Sequence, residues 1–219
     1  MRLTVISHLT LDGVVQSNGK PEPELNDGFE QGGWQVPYFD DDMAELTTGW
    51  IAAADGFLMG RRTYELFVGH WAKISDPNDI LATRLNEQPK YVVSTSLARV
   101  DWNNSTLLQD DVFDAVAHLK DQPGNELQVH GSGSLVQTLM ERELIDEYRL
   151  LIHPVVLGNG RRLFAEGTTP TALELVDTKT TSRGVAVHTY RPSGRPRYGA
   201  VALEQEGDVV KEAGNRPTS

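Results

Sequence analysis

The stretch Leu127-Gln128-Val129-His130-Gly131-Ser132-Gly133-Ser134-Leu135 limits the choice of fold most. Leu127 and Val129 alternate with polar residues, as in a short strand. Gly131 and Gly133 then permit a sharp turn and a close approach of backbone to a ligand. Ser132 or Ser134 is placed to cap the apolar-periodic run through Leu135, Leu139 and Met140, so a helix starts here. A strand that turns through glycines into a helix is the repeating unit of a parallel α/β sheet. Its turn also offers unpaired N–H groups and the positive end of a helix dipole to a phosphate. An ordinary strand-to-helix connection has the same spelling, because Gly-X-Gly lacks the third glycine of the dinucleotide fingerprint.

A chain of 219 residues with 39% hydrophobic content is enough for one large domain with a real core. No apolar run approaches the length that spans a bilayer, and Met1 to Ser7 opens as a strand without a signal-peptide pattern. There are no cysteines, which excludes disulfides and cysteine–zinc sites and fits a reducing cytoplasm. The formal net charge of −11 repels nucleic acid and anionic membranes, so neither is expected as a partner. An anionic ligand would need a local positive site, and arginines beside glycines are the place to look.

Strand and helix signals alternate through residue 154. Strands are expected at 2–7, 56–60, 90–96, 105–109, 127–130 and 147–154. Helices are expected from Asp40-Asp41-Asp42 to about Ala54, after Gly60, over 76–88 with a cap near Asp76, over 111–120, and from 133 to about Arg142. Residues 173–179 and 184–191 read as a closing antiparallel pair, and 198–203 as one more edge strand. The reading is one domain over residues 1–192, with an extension over 193–219 whose last part, 204–219, is expected to be a mobile tail. The predicted class is α/β: a mostly parallel mixed sheet of about eight strands with an antiparallel C-terminal edge.

Several strand ends carry chemistry. Asp12-Gly13 breaks the first strand and exposes Leu9 to Asp12, unless Asp12 is simply a turn residue. Residues 16–35 form a polar loop long enough for a lid, closed by Trp34, a flat wall for a ring or else a core anchor. Asp40 to Asp42 suit a helix N-terminus, and the alternative is that one of them faces a ligand as a proton donor or an anchor; no metal is expected, since no His or further acid lies at ligand spacing. Gly60-Arg61-Arg62-Thr63 puts two cations at a helix start, against the dipole, with Thr63 as candidate cap. An anionic ligand would resolve that conflict. Ser94, Thr95 and Ser96 end a buried strand in hydroxyls that either bind phosphate or form a turn. In open α/β sheets the C-terminal strand ends line one crevice, and these groups together suit a dinucleotide with an extra phosphate.

With these stretches assembled, the chain resembles the dihydrofolate reductase-like superfamily, specifically bacterial proteins similar to the C-terminal reductase domain of the bifunctional riboflavin-biosynthesis enzyme. The matching segments are 9–13, 59–65, 92–97, 130–135 and 145–164, in the family's order. The resemblance implies an NADPH-dependent reductase with an eight-stranded sheet, often a homodimer. By position it implies that Gly60, Arg61, Arg62 and Thr63 hold phosphates and that Ser94, Thr95 and Ser96 lie by the adenosine 2′-phosphate. It places Gly131, Ser132, Gly133, Ser134 and Leu135 around the pyrophosphate, with Leu9 and Asp12 bordering the nicotinamide. Trp34-Gln35-Val36-Pro37 is similar to the segment just before the substrate-binding acid of dihydrofolate reductase, but counting puts Phe39 at the acid's place and Asp40 beside it. The lysine that the riboflavin-pathway reductase tends to carry before the Leu-Asp-Gly turn is missing, and His8 lies in that region. The expected reaction is hydride transfer to a flat heterocycle, pterin-like or pyrimidine-like, with Asp40 and then Asp12 as proton-donor candidates and Trp34 and Asp40 at the substrate. Two rivals stand beside it: a nucleotide-binding module without turnover, and an unrelated α/β transferase.

Overall fold

In the computed structural model, residues 1–17, 19, 28–109, 111–201 and 212–213 are described. The strands of the main sheet are β1 (Arg2–Thr10), β2 (Gly56–Gly60), β3 (Lys90–Val93), β4 (Ser105–Leu108), β5 (Glu126–Val129), β6 (Glu147–His153), β7 (Leu173–Thr180) and β8 (Ala186–Pro192). The helices are α1 (Asp41–Ala52), α2 (Arg61–His70), α3 (Ile80–Glu87), α4 (Val112–Asp121) and α5 (Gly133–Glu141). The sheet order is β4-β3-β2-β5-β1-β6-β8-β7. The six strands from β4 to β6 run parallel, and β8 and β7 close the sheet antiparallel. This is the mixed α/β sheet expected from the alternation of signals.

The period-two rule sorts the core onto two faces. Leu3 and Val5 of β1, Leu58 of β2 and Leu127 and Val129 of β5 pack with Val116 of α4 and Val136 and Leu139 of α5. Phe57 and Met59 turn the other way, onto Ile51 of α1 and Leu85 of α3, while Ile6 meets Met43 of α1 and Leu151 of β6. Each such side chain contributes about 1.5–3 kcal/mol when fully buried. A parallel sheet covered on both faces needs strands apolar on both sides, and β2 is buried at every position.

Three details differ from the sequence reading. Helix α3 starts at Ile80 rather than near Asp76, because the Asp76 carboxylate closes a turn on the Asn78 N–H (2.9 Å) and Asp79 caps the Ala82 N–H instead (2.9 Å). Thr63 is not a cap; Gly60 holds the N-cap position of α2 and makes no side-chain bond. The expected edge strand at 198–203 is instead β9 (Ala200–Val201), paired antiparallel with β10 (Glu212–Ala213) apart from the main sheet. A partner close in sequence closes a smaller loop at lower entropic cost. Most of the expected tail at 204–219 lies outside the described residues, as does the middle of the 16–35 loop.

Candidate functional site

Two helix starts meet at the C-terminal edge of the sheet. β2 runs directly into α2 at Gly60, and β5 turns through Gly131 into α5. Gly131 has φ +72°, a left-handed conformation that favours glycine, and the Gly131–Ser132 peptide is cis. The turns touch: a Cβ on Gly60 would stand 2.2 Å from Ser132 Oγ, and one on Gly131 would stand 3.5 Å from Thr63 Oγ1. Only glycine at position 60 lets the two helix N-termini come this close.

These two starts also differ from the others. Asp40, Asp79 and Asp111 cap α1, α3 and α4 with side-chain hydrogen bonds. α2 and α5 have no side-chain cap and no acid in the first turn. Their leading N–H groups therefore remain available to an anion. Arg61 and Arg62 are exposed on the first turn of α2, and Arg61 reaches Glu65 at 3.3 Å, a surface pair of small worth. Ser134 is exposed, while Leu135 packs into the core and anchors the turn. Ser94 is buried, and its Oγ accepts from the Ser96 and Leu97 N–H groups (3.2 and 3.0 Å); Thr95 and Ser96 are exposed. Ser94 thus shapes the turn, with its Oγ also 3.4 Å from Ser96 Oγ, and Thr95 and Ser96 lie at the surface.

The two carboxylates named as proton-donor candidates are both held as anions by structural bonds. Asp12 accepts from Thr10 Oγ1 (2.6 Å) and from the N–H groups of Leu157 (3.2 Å) and Gly158 (2.9 Å). Those bonds, Thr10 first, pull its pKa down to about 2. Asp40 accepts from Met43 N–H (2.9 Å) and Arg183 N–H (2.8 Å). Burial works against its charge, but these bonds, one from Thr181 and the Arg183 guanidinium together leave its pKa below the usual carboxylate range. A general acid near neutral pH needs the opposite shift. Asp42 binds the Ser182 N–H (2.7 Å) and hydroxyl, so the acidic start of α1 clamps the β7–β8 turn. Leu9 is a core residue of the α4–α5 face.

Trp34 is buried with Val14 and Phe29, and its Nε1 donates to Gln16 O at 2.9 Å. It is a core anchor whose ring also meets the edge of His153, with centroids 5.2 Å apart. Here the structure brings together histidines to which the sequence assigned no role. His8 and His153 join through Nδ1 and Nε2 at 3.2 Å, with Tyr38 against His153 at 5.7 Å. His130 stands between Phe57 and Phe67, with centroids 5.8 and 6.3 Å away, and contacts Gln128 at 2.8 Å. Burial lowers the pKa of His8 to about 3 and of His130 and His153 to about 4, so all three are neutral at pH 7. The available signal was alternation: Glu126 and Gln128 are polar residues on one face of a strand buried at every position, His130 follows them on that face, and such groups need partners.

A further hollow of about 280 Å³ lies on the opposite, α5 face between Met140, Tyr148, Phe164 and Leu173. It is remote from the strand ends that carry the helix starts. Among the described residues no cluster of acids and histidines is arranged to hold a metal, and no helix is long and apolar enough to cross a membrane.

The family model for the RibD C-terminal domain matches residues 2–187. The uncharacterized protein YyaP of Bacillus subtilis is 33% identical over 189 residues, covering 85% of this chain and 92% of its own length. Among solved structures, a putative riboflavin biosynthesis protein from Shewanella sp. PV-4 superposes with a TM-score of 0.63 at 22% identity, covering 88% of this chain and 99% of that one. A dihydrofolate reductase from Enterococcus faecalis, solved with NADP(H) and RAB-propyl, gives 0.55 at 14% identity, covering 87% and 96%. These structural likenesses establish the dihydrofolate reductase-like fold.

Proposed function

The chain belongs to the RibD C-terminal domain family, and from that we propose that it is an NADPH-dependent reductase acting on a flat, pterin-like or pyrimidine-like heterocycle. The observation that carries the reading is the pair of uncapped helix starts packed together through Gly60 and Ser132, with Arg61 and Arg62 beside them. The fit to a dinucleotide is chemical. The N–H groups of α2 and α5 receive phosphate oxygens, the arginines add charge-assisted bonds, and the exposed residues Thr95 and Ser96 suit an additional phosphate. The Enterococcus enzyme of this fold, solved with NADP(H), supports that assignment.

When bound, the dinucleotide supplies the hydride; the protein binds, orients and excludes water. Gly131 to Leu135 hold the pyrophosphate. Asp12 ties the residue 157–158 backbone to the end of β1, which keeps the nicotinamide side of the cleft in one shape. The aromatic and histidine wall around His8, Tyr38 and His130 receives the ring to be reduced. With Asp12 and Asp40 committed as anions, the accompanying proton comes from water. The chain acts as a homodimer in the cytoplasm.

Calorimetric titration with NADPH and, separately, NADH tests the reading. Micromolar binding of NADPH and much weaker binding of NADH is expected. No binding of either removes it. A second reading, a nucleotide-binding module without turnover, is favoured by the commitment of both carboxyl candidates, Asp12 and Asp40, to structural hydrogen bonds. It predicts the same titration with no NADPH oxidation against any oxidised pterin or pyrimidine.

A further inference from the structure

Three histidines face α1 at the C-terminal edge of the sheet. Val5 pairs with Val129 and Thr10 with His153, so His8, His130 and His153 fall on the face that carries Ile6. One step beyond the Val5–Val129 pair sets His130 beside Ile6, so His8 stands at the next position along the same face of the neighbouring strand.

The protons on these rings follow from their partners. Gln128 Nε2 donates to Trp50 O (2.6 Å) and to Glu126 Oε1, so its oxygen is the side turned to His130. That oxygen only accepts, hence His130 carries its proton on Nε2, and its Nδ1 is a bare lone pair. Glu126 is held in turn by Arg2 (2.8 Å) and by both terminal nitrogens of Arg149 (3.0 and 2.8 Å). The column Glu126–Gln128–His130 along β5 therefore fixes one tautomer. At the other pair, His153 Nδ1 is buried without a hydrogen-bond partner among the described residues. An orphaned N–H is rarer in folded proteins than an under-used acceptor, so this nitrogen is the unprotonated one. His153 then donates from Nε2 to His8 Nδ1, and His8 carries its proton on Nε2.

We propose that His8 Nε2–H and His130 Nδ1 are the specificity-determining pair of the substrate site, a donor beside an acceptor that reads the adjacent C=O and N–H of a neutral lactam. This rests on the reductase reading for the chemistry done on the ring, and on the histidine network alone for the recognition. A free carboxylate would select a protonated amidine instead. Asp40, the acid nearest in sequence to that role, is bound into the α1 cap and the Arg183 N–H. Burial keeps both histidines neutral, with Glu126 and Arg149 acting oppositely on His130 and His153 adding to the effect on His8. A cationic ring would thus meet a bare N–H at His8 and two neutral imidazoles.

The test is long-range ¹H–¹⁵N correlation NMR on the whole protein labelled at histidine nitrogen. Signals are assigned by their loss in the His8→Gln, His130→Gln and His153→Gln variants. In the unliganded protein His8 and His130 should each show a single Nε2–H tautomer, unprotonated from pH 8 down to pH about 5. Addition of 2-pyridone, a neutral lactam, should shift the ring nitrogens of both, and benzamidine, an amidinium, should shift neither. An Nδ1–H tautomer at His130, protonation of either ring near pH 6.5, equal shifts with benzamidine, or no shift with 2-pyridone overturns the proposal. Failure of the reductase reading shows separately, as an absence of NADPH binding while the tautomers and the pyridone shifts persist.

Discussion

Asp12 illustrates how a turn residue acquires a second task. Its backbone makes the turn after β1, and its carboxylate gathers the Thr10 hydroxyl and two N–H groups from the far side of the cleft. Hydrogen bonds to a charged group contribute about 1.5–3 kcal/mol each and are not additive, so Asp12→Ala should cost about 2–3 kcal/mol in denaturant unfolding. The pH dependence has a definite sign. The folded pKa of about 2 lies below the usual 3.8, so the contribution is complete above pH about 4 and is lost as the pH falls through about 2. Acid titration of wild type against Asp12→Asn should therefore diverge above that window and converge below it. Replacing both Arg61 and Arg62 by Ala should weaken NADPH binding by about 2–4 kcal/mol, if charged hydrogen bonds at ~1.5–3 kcal/mol each hold phosphate. Calorimetry with an unchanged affinity would remove the arginines from the site.

At the scale of elements, the ends matter more than the middles. The C-terminus of α3 is closed by Lys90, whose buried Nζ donates to the carbonyls of Leu85, Asn86 and Gln88 at 2.7, 3.2 and 2.8 Å. Burial lowers its pKa to about 8, so between pH about 8 and about 10.5 the unfolded chain binds more protons and the Lys90 contribution to stability rises with pH. Lys90→Met should remove that slope from a stability-versus-pH series and cost about 2–4 kcal/mol overall by leaving buried carbonyls unpaired. At the start of α2, Gly60→Ala forces its Cβ onto Ser132 Oγ and should cost about 1–3 kcal/mol, with part of the loss recovered in Gly60→Ala/Ser132→Gly. Such ends were only partly legible in the sequence. Alternation and turn residues revealed β2, β5 and the Gly131 turn, because those signals are local. The choice of Asp79 over Asp76 as cap was not, since both spell the same chemistry and the Asn78 N–H decides between them. Trp34 equally fitted a ligand wall and a core anchor until Val14 and Phe29 were placed around it. The histidine pair was hidden for another reason: His8 and His153 lie 145 positions apart and meet only because β1 and β6 are neighbours.

Over the whole molecule, the sheet has a polar bottom and an apolar edge strand exposed to solvent. Glu126 and Glu147 are buried at the N-terminal ends of β5 and β6 and are surrounded by Arg2, Arg149 and Arg191. Removing one partner from such a cluster leaves an uncompensated buried charge, which is costlier than the cluster's net contribution. That edge is β7, where Leu175 and Val176, at a bulge in the strand, are 50% and 44% exposed. An exposed apolar edge is a template for pairing, and the proposed homodimer would cover it. Light scattering should give twice the chain mass for the wild type and the monomer mass for Val176→Lys. A monomeric wild type would refute the dimer.

The bare starts of α2 and α5 have a consequence for stability as well as for binding. A capping Asp at an N-cap position adds about 0.5–2 kcal/mol to a helix, and Ser132 holds that position at α5 without making the bond. The unliganded fold thus sits below the stability its own backbone permits. Ser132→Asp should melt at a higher temperature than wild type and bind NADPH worse, while saturating NADPH should raise the melting point of the wild type more than that of the variant. Stability alone would fill the cap, and the proposed ligand gives a reason for leaving it open. The two opposed shifts, read in one thermal-melt series, weigh the stability forgone at the bare cap against the stability that NADPH would return.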